Sequence, residues 1–538
     1  MSIFQKRIKP VKRITLFHIL LWSSAIAFSP AALAQSVEKE AEPPADAPSP
    51  EDAGILTVTE AEATTSQADA RAALLEAQID GLQKQLDAIK KQLTTVTPSW
   101  KGAPQFNDAE EGWSFKVRGR LMVDAAYAGK PDNYVANRNL GFNARVRRFR
   151  IGVEGAIPGG FGYKAEVDYA NGTVGFGDVI ATYAPAGKPF SISLGNQEPL
   201  DGIEQQTSSR WVSFIERSQM NDAFINTRRL GITAGYKSSD GLFRVDVGGF
   251  AAHSIDATLD NDGWIGAARI TYTPFALGGF IHLGANYQHR EFQSNDNAVA
   301  SSSVGAPSTN QIARYRARPF LQTTDVRFVD SGNFAAKGDD IFGAEIYGVF
   351  KSLHLGGEAQ YLKTRTYRPG DIRTGLDGFN GGSLVTPADD PSFFSAYGEV
   401  GYFLTGETRG YKNGLWDRTK VLHPFNKGGW GAIQLIGRVD YLDLDSGKLK
   451  NAVTNNFANG TTTLASAASR QARGGKQTGY LLGLTWIPTD YVRFLVNYIH
   501  SEVKGGPFAA AANPQSTDPV DQRGYNTDAV AVRAQIDF

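Results

Sequence analysis

The sequence predicts an all-β protein, a 16-stranded antiparallel transmembrane β-barrel with an N-terminal periplasmic coiled-coil helix. Three observations carry this. In the last segment, Val530, Val532, Ala534, Ile536 and Phe538 share one face of an extended strand while Ala531, Arg533, Gln535 and Asp537 share the other, because successive strand side chains point to opposite faces. Similar alternating segments recur through most of the chain, as in a wall with lipid on one side and water on the other. A secretory leader opens the chain, and no later apolar stretch approaches the ~20 residues a membrane helix needs, so a membrane location would have to be built from strands.

Residues 1–34 read as a signal peptide: Lys6, Arg7, Lys9, Lys12 and Arg13, an apolar run from Ile14 to Phe28, then Ala32-Leu33-Ala34 as the cleavage site. The competing reading, a single membrane-helix anchor, asks for a longer run. Cleavage turns 55 Lys and Arg against 55 Asp and Glu into 50 against 55. Any preference for anions must then come from where arginines sit, since the total charge opposes it. The absence of cysteine fits an exported chain held by a closed hydrogen-bonded ladder. The 58 glycines and 11% aromatics suit turns and interfacial girdles, and a mean hydropathy of −0.28 excludes a bundle of membrane helices.

Residues 35–66 are acidic and rich in Ala and Pro, the composition of a disordered linker. In the segment 67–97, Leu75, Ile79, Leu82, Leu86, Ile89, Leu93 and Val96 step by four and three, the seam of a coiled coil. A lone amphipathic helix against another surface is the alternative, and Gly81 weakens the seam. A self-associating helix implies an oligomer, whose number the heptads leave open.

The barrel is assigned to residues 112–538. Its strands are expected at Ser114 to Tyr127, Arg147 to Ile157, Phe161 to Ala170, Asp178 to Tyr183, Phe190 to Gln197, Leu230 to Lys237, Leu242 to Ala252 and Trp264 to Thr273. Eight more follow: Gly279 to Phe292, Ile341 to Lys351, His354 to Tyr367, Phe393 to Thr405, Trp430 to Leu444, Gln477 to Pro488, Tyr491 to Val503 and Asp528 to Phe538. Short turns belong on the periplasmic side and long loops outside. The connections Glu198 to Arg229 and Gln293 to Asp340 are too long to be mere links. One stretch breaks the rule: Arg409 to Gly429 should be periplasmic by parity, yet is long.

Several stretches resemble one family. Thr207-Ser208-Ser209-Arg210-Trp211-Val212-Ser213-Phe214-Ile215-Glu216-Arg217-Ser218 and Arg228-Arg229-Leu230-Gly231 look like the third loop of the phosphate-selective porin O and P family. Arg147-Arg148-Phe149-Arg150 with Gly160-Phe161-Gly162-Tyr163-Lys164 resembles its second and third strands, and Tyr397 to Lys412 with Gly428 to Ala432 and Arg438 to Tyr441 its late strands. The resemblance implies a trimeric sixteen-stranded barrel in the cell outer membrane, with an anion channel in each subunit lined by arginines and narrowed by inward-folded loops. Its expected partners are inorganic phosphate or polyphosphate, outer-membrane lipid and two further copies of the chain, joined through barrel walls and coiled coil, with no nucleic acid.

The candidate anion-binding residues follow from parity and from that resemblance. Arg314, Arg316 and Arg318 alternate before Pro319, which biases Arg318 toward extension, so their guanidinium groups share a face; a solvated basic turn is the plain alternative. A guanidinium fork holds phosphate through two parallel hydrogen bonds. Arg118, Arg120, Arg148 and Arg150 have inward parity on adjacent strands, and Arg493 and Arg533 extend the patch round the seam. Arg210 and Arg217 stand in the third loop among Asp201, Glu204 and Glu216. Inward Glu154, Glu166 and Asp168 either neutralise the arginines or hold them in place. Arg438 also points inward, with Asp440 within pairing reach along the strand.

The seven histidines lack metal spacing, and no nucleophile elbow, Walker loop or dinucleotide fingerprint occurs, so neither an enzyme nor a cofactor is expected. Asp260-Asn261-Asp262-Gly263 reads as a turn before it reads as a calcium loop. Passive diffusion of anions leads, ahead of a porin of the same build for sugars or carboxylates and of a barrel lipase.

Overall fold

The computed structural model describes residues 58–538 apart from 96, 101, 109, 132, 134–138, 173, 225, 253–254, 256–262, 293–310, 369–382 and 457–460. The expected signal peptide, most of the linker and most of the Asp260 turn lie outside these. The chain divides into two units after Gln83. A helix spans Val58–Thr95 and so begins inside the stretch read as linker, where Ala-rich sequence with Glu60 and Glu62 near the amino end favours helix. Leu75, Ile79, Leu82 and Leu86 are exposed on it.

Sixteen strands form the wall. They are β1 (Trp113–Ala128), β2 (Gly141–Ile157), β3 (Phe161–Asp168), β4 (Gly175–Tyr183), β5 (Phe190–Gln197), β6 (Arg229–Lys237), β7 (Phe243–Ala251) and β8 (Gly263–Tyr272). Then come β9 (Gly279–Phe292), β10 (Phe334–Phe350), β11 (Leu353–Thr366), β12 (Ser392–Phe403), β13 (Ala432–Asp443), β14 (Lys476–Thr489), β15 (Val492–Lys504) and β16 (Gly524–Asp537). Each pairs antiparallel with the next, and β16 pairs back with β1 from Ala529↔Ala128 to Asp537↔Arg120. Closure leaves no unpaired edge in lipid, as a membrane wall requires. All sixteen expected strands are present. β2 and β10 begin well before the expected Arg147 and Ile341, because a strand end above the lipid has no oily face and its alternation fades.

The outward side chains form bands. Leu121, Val123, Ile151, Leu194, Ile232, Ile346, Val400, Leu482, Val496 and Val532 are exposed and aliphatic. Aromatic girdles flank them: Phe161, Phe190, Tyr402 and Phe494 with half-buried Tyr183 and Trp486 at the short-turn end, Tyr127, Trp264, Tyr287, Phe342, Tyr361 and Tyr498 at the other. Neighbouring girdle rings touch, with centroids 4.9 Å apart for Phe161–Tyr183 and 5.0 Å for Tyr287–Phe342. Leu482→Arg, within the aliphatic band, is expected to destabilise the barrel by ~2–4 kcal/mol. Urea unfolding in lipid vesicles measures it, and an unchanged midpoint would contradict a lipid-facing Leu482.

Part of the bore is filled. Over their described residues, loop 3 (198–228), loop 5 (293–333) and turn 6 (404–431) fold inward. Ile203, Met220 and Phe224 of loop 3, Tyr315, Phe328 and Val329 of loop 5 and Trp416 of turn 6 form a dry core with wall residues Tyr347, Phe393 and Leu442. Phe320 anchors loop 5 with φ 58°; its ring lies over Gly479, where an added Cβ would come within 2.2 Å. Turn 6 is the anomalous stretch of the sequence. Its tip is a hairpin in which Tyr411–Lys412 pairs with Leu415–Trp416, turned by Asn413 and Gly414 at φ 52° and 77°, the conformation an Asn-Gly turn of this kind demands. The hairpin meets loop 3 where the Trp416 N–H donates to Thr207 Oγ1 at 3.2 Å.

Candidate functional site

Water-filled space remains along β1–β8, in two chambers. The outer one, about 380 Å³, is lined by six arginines and three acids, among them Arg147, Arg148, Arg318, Glu216 and Asp222. The inner one, about 770 Å³, is lined by thirteen Lys and Arg against five Asp and Glu. A chain whose charges balance overall thus gathers a strong positive excess inside its wall, which raises the local anion concentration. Arg148, Arg150, Glu198, Gln205, Arg217 and Arg228 line both chambers and mark the junction.

Most of the arginines there are already engaged. Arg120 reaches Glu166 at 2.5 Å and donates to Ser209 Oγ at 3.0 Å. Arg150 spans Glu166 at 3.1 Å and Asp168 at 2.7 Å. Arg118 pairs with Glu154. Arg228 joins Asp178 at 2.5 Å and Glu198 at 2.8 Å. The inward acids therefore hold arginines in place, resolving the choice left open by the sequence.

Two junction arginines lack an acid partner among the described residues. Arg217 donates to the carbonyl oxygens of Glu204 and Thr207, both at 2.8 Å; burial lowers its pKa, against the pull of Glu198, Glu204 and Glu216. Arg148 makes no ion pair or hydrogen bond among the described residues, and the charges acting on it most strongly are the guanidinium groups of Arg147, Arg150, Arg217 and Arg120. A cation held among cations at a wet junction is a ready anion receptor.

A bulge shapes this cluster. The β1–β2 register slips between Met122 and Val123, so that Arg148 faces Met122 and Val146 faces Val123, leaving Arg147 as the extra residue. A bulge re-aims side chains. Strict alternation would send Arg147 outward; here it grips Glu216 of loop 3 through two bonds of 2.7 and 3.1 Å. Arg145 also turns inward, donating to the Gln322 carbonyl at 2.7 Å. Burial would lift the Glu216 carboxyl, yet Arg147 and then Arg533 hold it at about 2, ionised.

Other predicted positions fall elsewhere. Arg533 is buried, bound to Asp124 at 2.6 and 2.7 Å and to Glu216 at 3.1 Å. Arg493 is buried and donates to the loop 3 carbonyls of Arg210 and Val212. These two do not extend the patch as expected: loop 3 lies against their side of the wall, making them anchors. Arg314, Arg316 and Arg318 do share a face, alternating with buried Tyr315 and Ala317. Only Arg318 reaches a chamber, paired with Asp222 at 2.7 Å. Arg314 closes on Asp330 at 2.6 Å and Arg316 is exposed. Arg210 stacks on Trp211 at 4.4 Å, and burial, then Arg120 and Arg118, bring its pKa down to about 9. Arg438 passes over Asp440, 4.0 Å away, for Glu204 and Glu399, both at 2.6 Å. Lys116 and Lys164, inward by parity, also line the inner chamber, and Arg244, Arg269, Lys412 and Arg418 there escaped the sequence reading. Inward parity would have found the wall residues among them; Lys412 and Arg418 depend on the path of turn 6.

A closed sixteen-stranded wall, banded for lipid outside and wet and cationic within, defines an outer-membrane porin. The sequence profile of phosphate-selective porin O and P matches residues 115–538, and the chain belongs to that family. It is 30% identical to an uncharacterized protein of Caulobacter vibrioides over 82% of this chain and 77% of that one. To Porin O of Pseudomonas aeruginosa it is 24% identical over 75% of this chain and 86% of that one. Among solved structures it resembles the anion-selective porin from Comamonas acidovorans, with 12% identity, 79% of this chain and 100% of that chain covered, and a TM-score of 0.41.

Proposed function

We propose that this outer-membrane anion porin passes phosphate or polyphosphate by diffusion, with Arg148 as the binding residue at the junction of the two chambers and Arg217 beside it. The observation that carries the reading is the Arg148 guanidinium, uncommitted among the described residues, between two cationic chambers. Its fork presents parallel donors to a phosphate oxygen pair. Arg147 and Arg318 outside the junction and the inner-chamber cations beyond it offer successive weaker contacts, so an anion enters and also leaves. No covalent step is involved. Signal cleavage after Ala34, a periplasmic coiled coil from the 67–97 segment and a trimer joined through walls and helices complete the proposal; exposed Leu75, Ile79, Leu82 and Leu86 support the seam.

In planar bilayers under a chloride gradient, the reversal potential is expected on the anion side, and added phosphate is expected to reduce the current at millimolar concentration. Cation preference, or chloride current indifferent to phosphate, would defeat the reading in favour of a general-solute porin.

A further inference from the structure

The inner chamber is not uniformly polar. Trp211, Leu200, Leu415 and Ile180 share its lining with the cations. Leu200 is buried against Phe250, Ile265 and Ala267, whereas Trp211 and Leu415 pack in part on the dry core and leave the rest of their surface to the chamber, at a free-energy cost. Trp211 is the largest, half-buried, with the Arg210 guanidinium 4.4 Å and that of Arg418 6.0 Å from its ring centroid. Those two cations come from loop 3 and turn 6, and Asp537 holds both, Arg210 at 3.7 Å and Arg418 more closely. An aromatic ring that carries guanidinium groups and leaves part of its surface to the chamber suits a ligand that is flat at one end and anionic at the other. The space agrees: about 770 Å³ lies in the ~300–1,000 Å³ range of pockets for small organic molecules, far beyond one inorganic phosphate.

We infer that the inner chamber accommodates organic phosphate monoesters, the phosphoryl group engaging Arg148 and Arg217 at the junction while the ring or chain lies along Trp211 and Leu415. This rests on the reading of Arg148 as the phosphate receptor and adds the class of solute that the chamber favours. Trp211 is the residue that distinguishes an ester from the bare ion, since phosphate alone has nothing to stack.

The full-length porin in planar bilayers tests it, with inorganic phosphate and 2-naphthyl phosphate as the two blocking anions in potassium chloride. For the wild type, the ester is expected to half-block at a concentration about ten-fold below that of phosphate, the size of one aromatic stacking contact. Trp211→Ala should bring the two values together with the phosphate value little changed, whereas Trp211→Phe, which keeps a ring, should retain most of the preference. Equal block by both anions in the wild type, or a preference that survives in Trp211→Ala, overturns the inference. Absence of block by inorganic phosphate sinks the preceding reading of Arg148, a different outcome from phosphate block without ester preference.

Discussion

Arg148→Ala is expected to raise the phosphate concentration that half-blocks the chloride current by at least about ten-fold, since one hydrogen bond to a charged group is worth ~1.5–3 kcal/mol. Because Arg148 has no partner among the described residues, its removal breaks no internal bond, and thermal unfolding should not change. Arg148→Lys keeps the charge but loses the fork and should fall between wild type and alanine. Arg150→Ala makes the contrast: it strips a partner from Glu166 and Asp168, which stand 3.1 and 2.7 Å from it, and the freed carboxylates should shift the reversal potential toward cations. An unchanged half-blocking concentration in Arg148→Ala would place the binding step elsewhere.

The second large effect concerns the dry part of the bore. Arg438 is buried, with Glu204 of loop 3 and Glu399 of β12 both 2.6 Å away and the Tyr397 ring centroid at 4.2 Å. Glu204 also accepts from the Ser218 N–H at 2.8 Å and Asn221 Nδ2 at 3.0 Å, so it pins loop 3 from within. Arg438→Ala leaves buried carboxylate charge under-compensated, a loss of ~3–5 kcal/mol in comparable buried pairs. A lower thermal midpoint of the folded barrel and a larger, noisier open-channel conductance are expected, as loop 3 leaves the wall. The double variant Glu204→Gln with Arg438→Met should recover part of the midpoint, because it removes the Glu204 charge together with its partner and leaves Glu399 to Arg409, 2.9 Å away. Single and double variants with the same midpoint as wild type would show that loop 3 is held by its apolar contacts alone.

How far the sequence could be read differs between wall and bore. The wall was legible because lipid punishes every outward charge, so Leu121, Phe149, Val439 and Val532 had to alternate with polar neighbours. The bulge was legible in principle: Arg147 and Arg148 are adjacent, strict alternation would put one guanidinium in lipid, and an extra residue is the inexpensive escape. Turn 6 announced itself by length. The course of the loops inside did not show, because it is set by pairs such as Arg533 with Glu216 and Arg438 with Glu204, far apart in the chain and with no local pattern. Hence Arg493 and Arg533, inward by parity as expected, turned out to be anchors, while the Arg148 guanidinium, free among the described residues, could not be told from its engaged neighbours.

The final strand has a consequence for biogenesis. β16 supplies Arg533 to Glu216, Gln535 Nε2 to the Arg210 carbonyl at 3.1 Å and Asp537 to Arg418, so the strand that closes the barrel on β1 ties down both the loop entering from outside and the turn entering from the periplasm. Until it docks beside β1, neither insertion has these fastenings. A barrel caught one strand short would be leaky and undiscriminating, and ion discrimination arises only when assembly is complete.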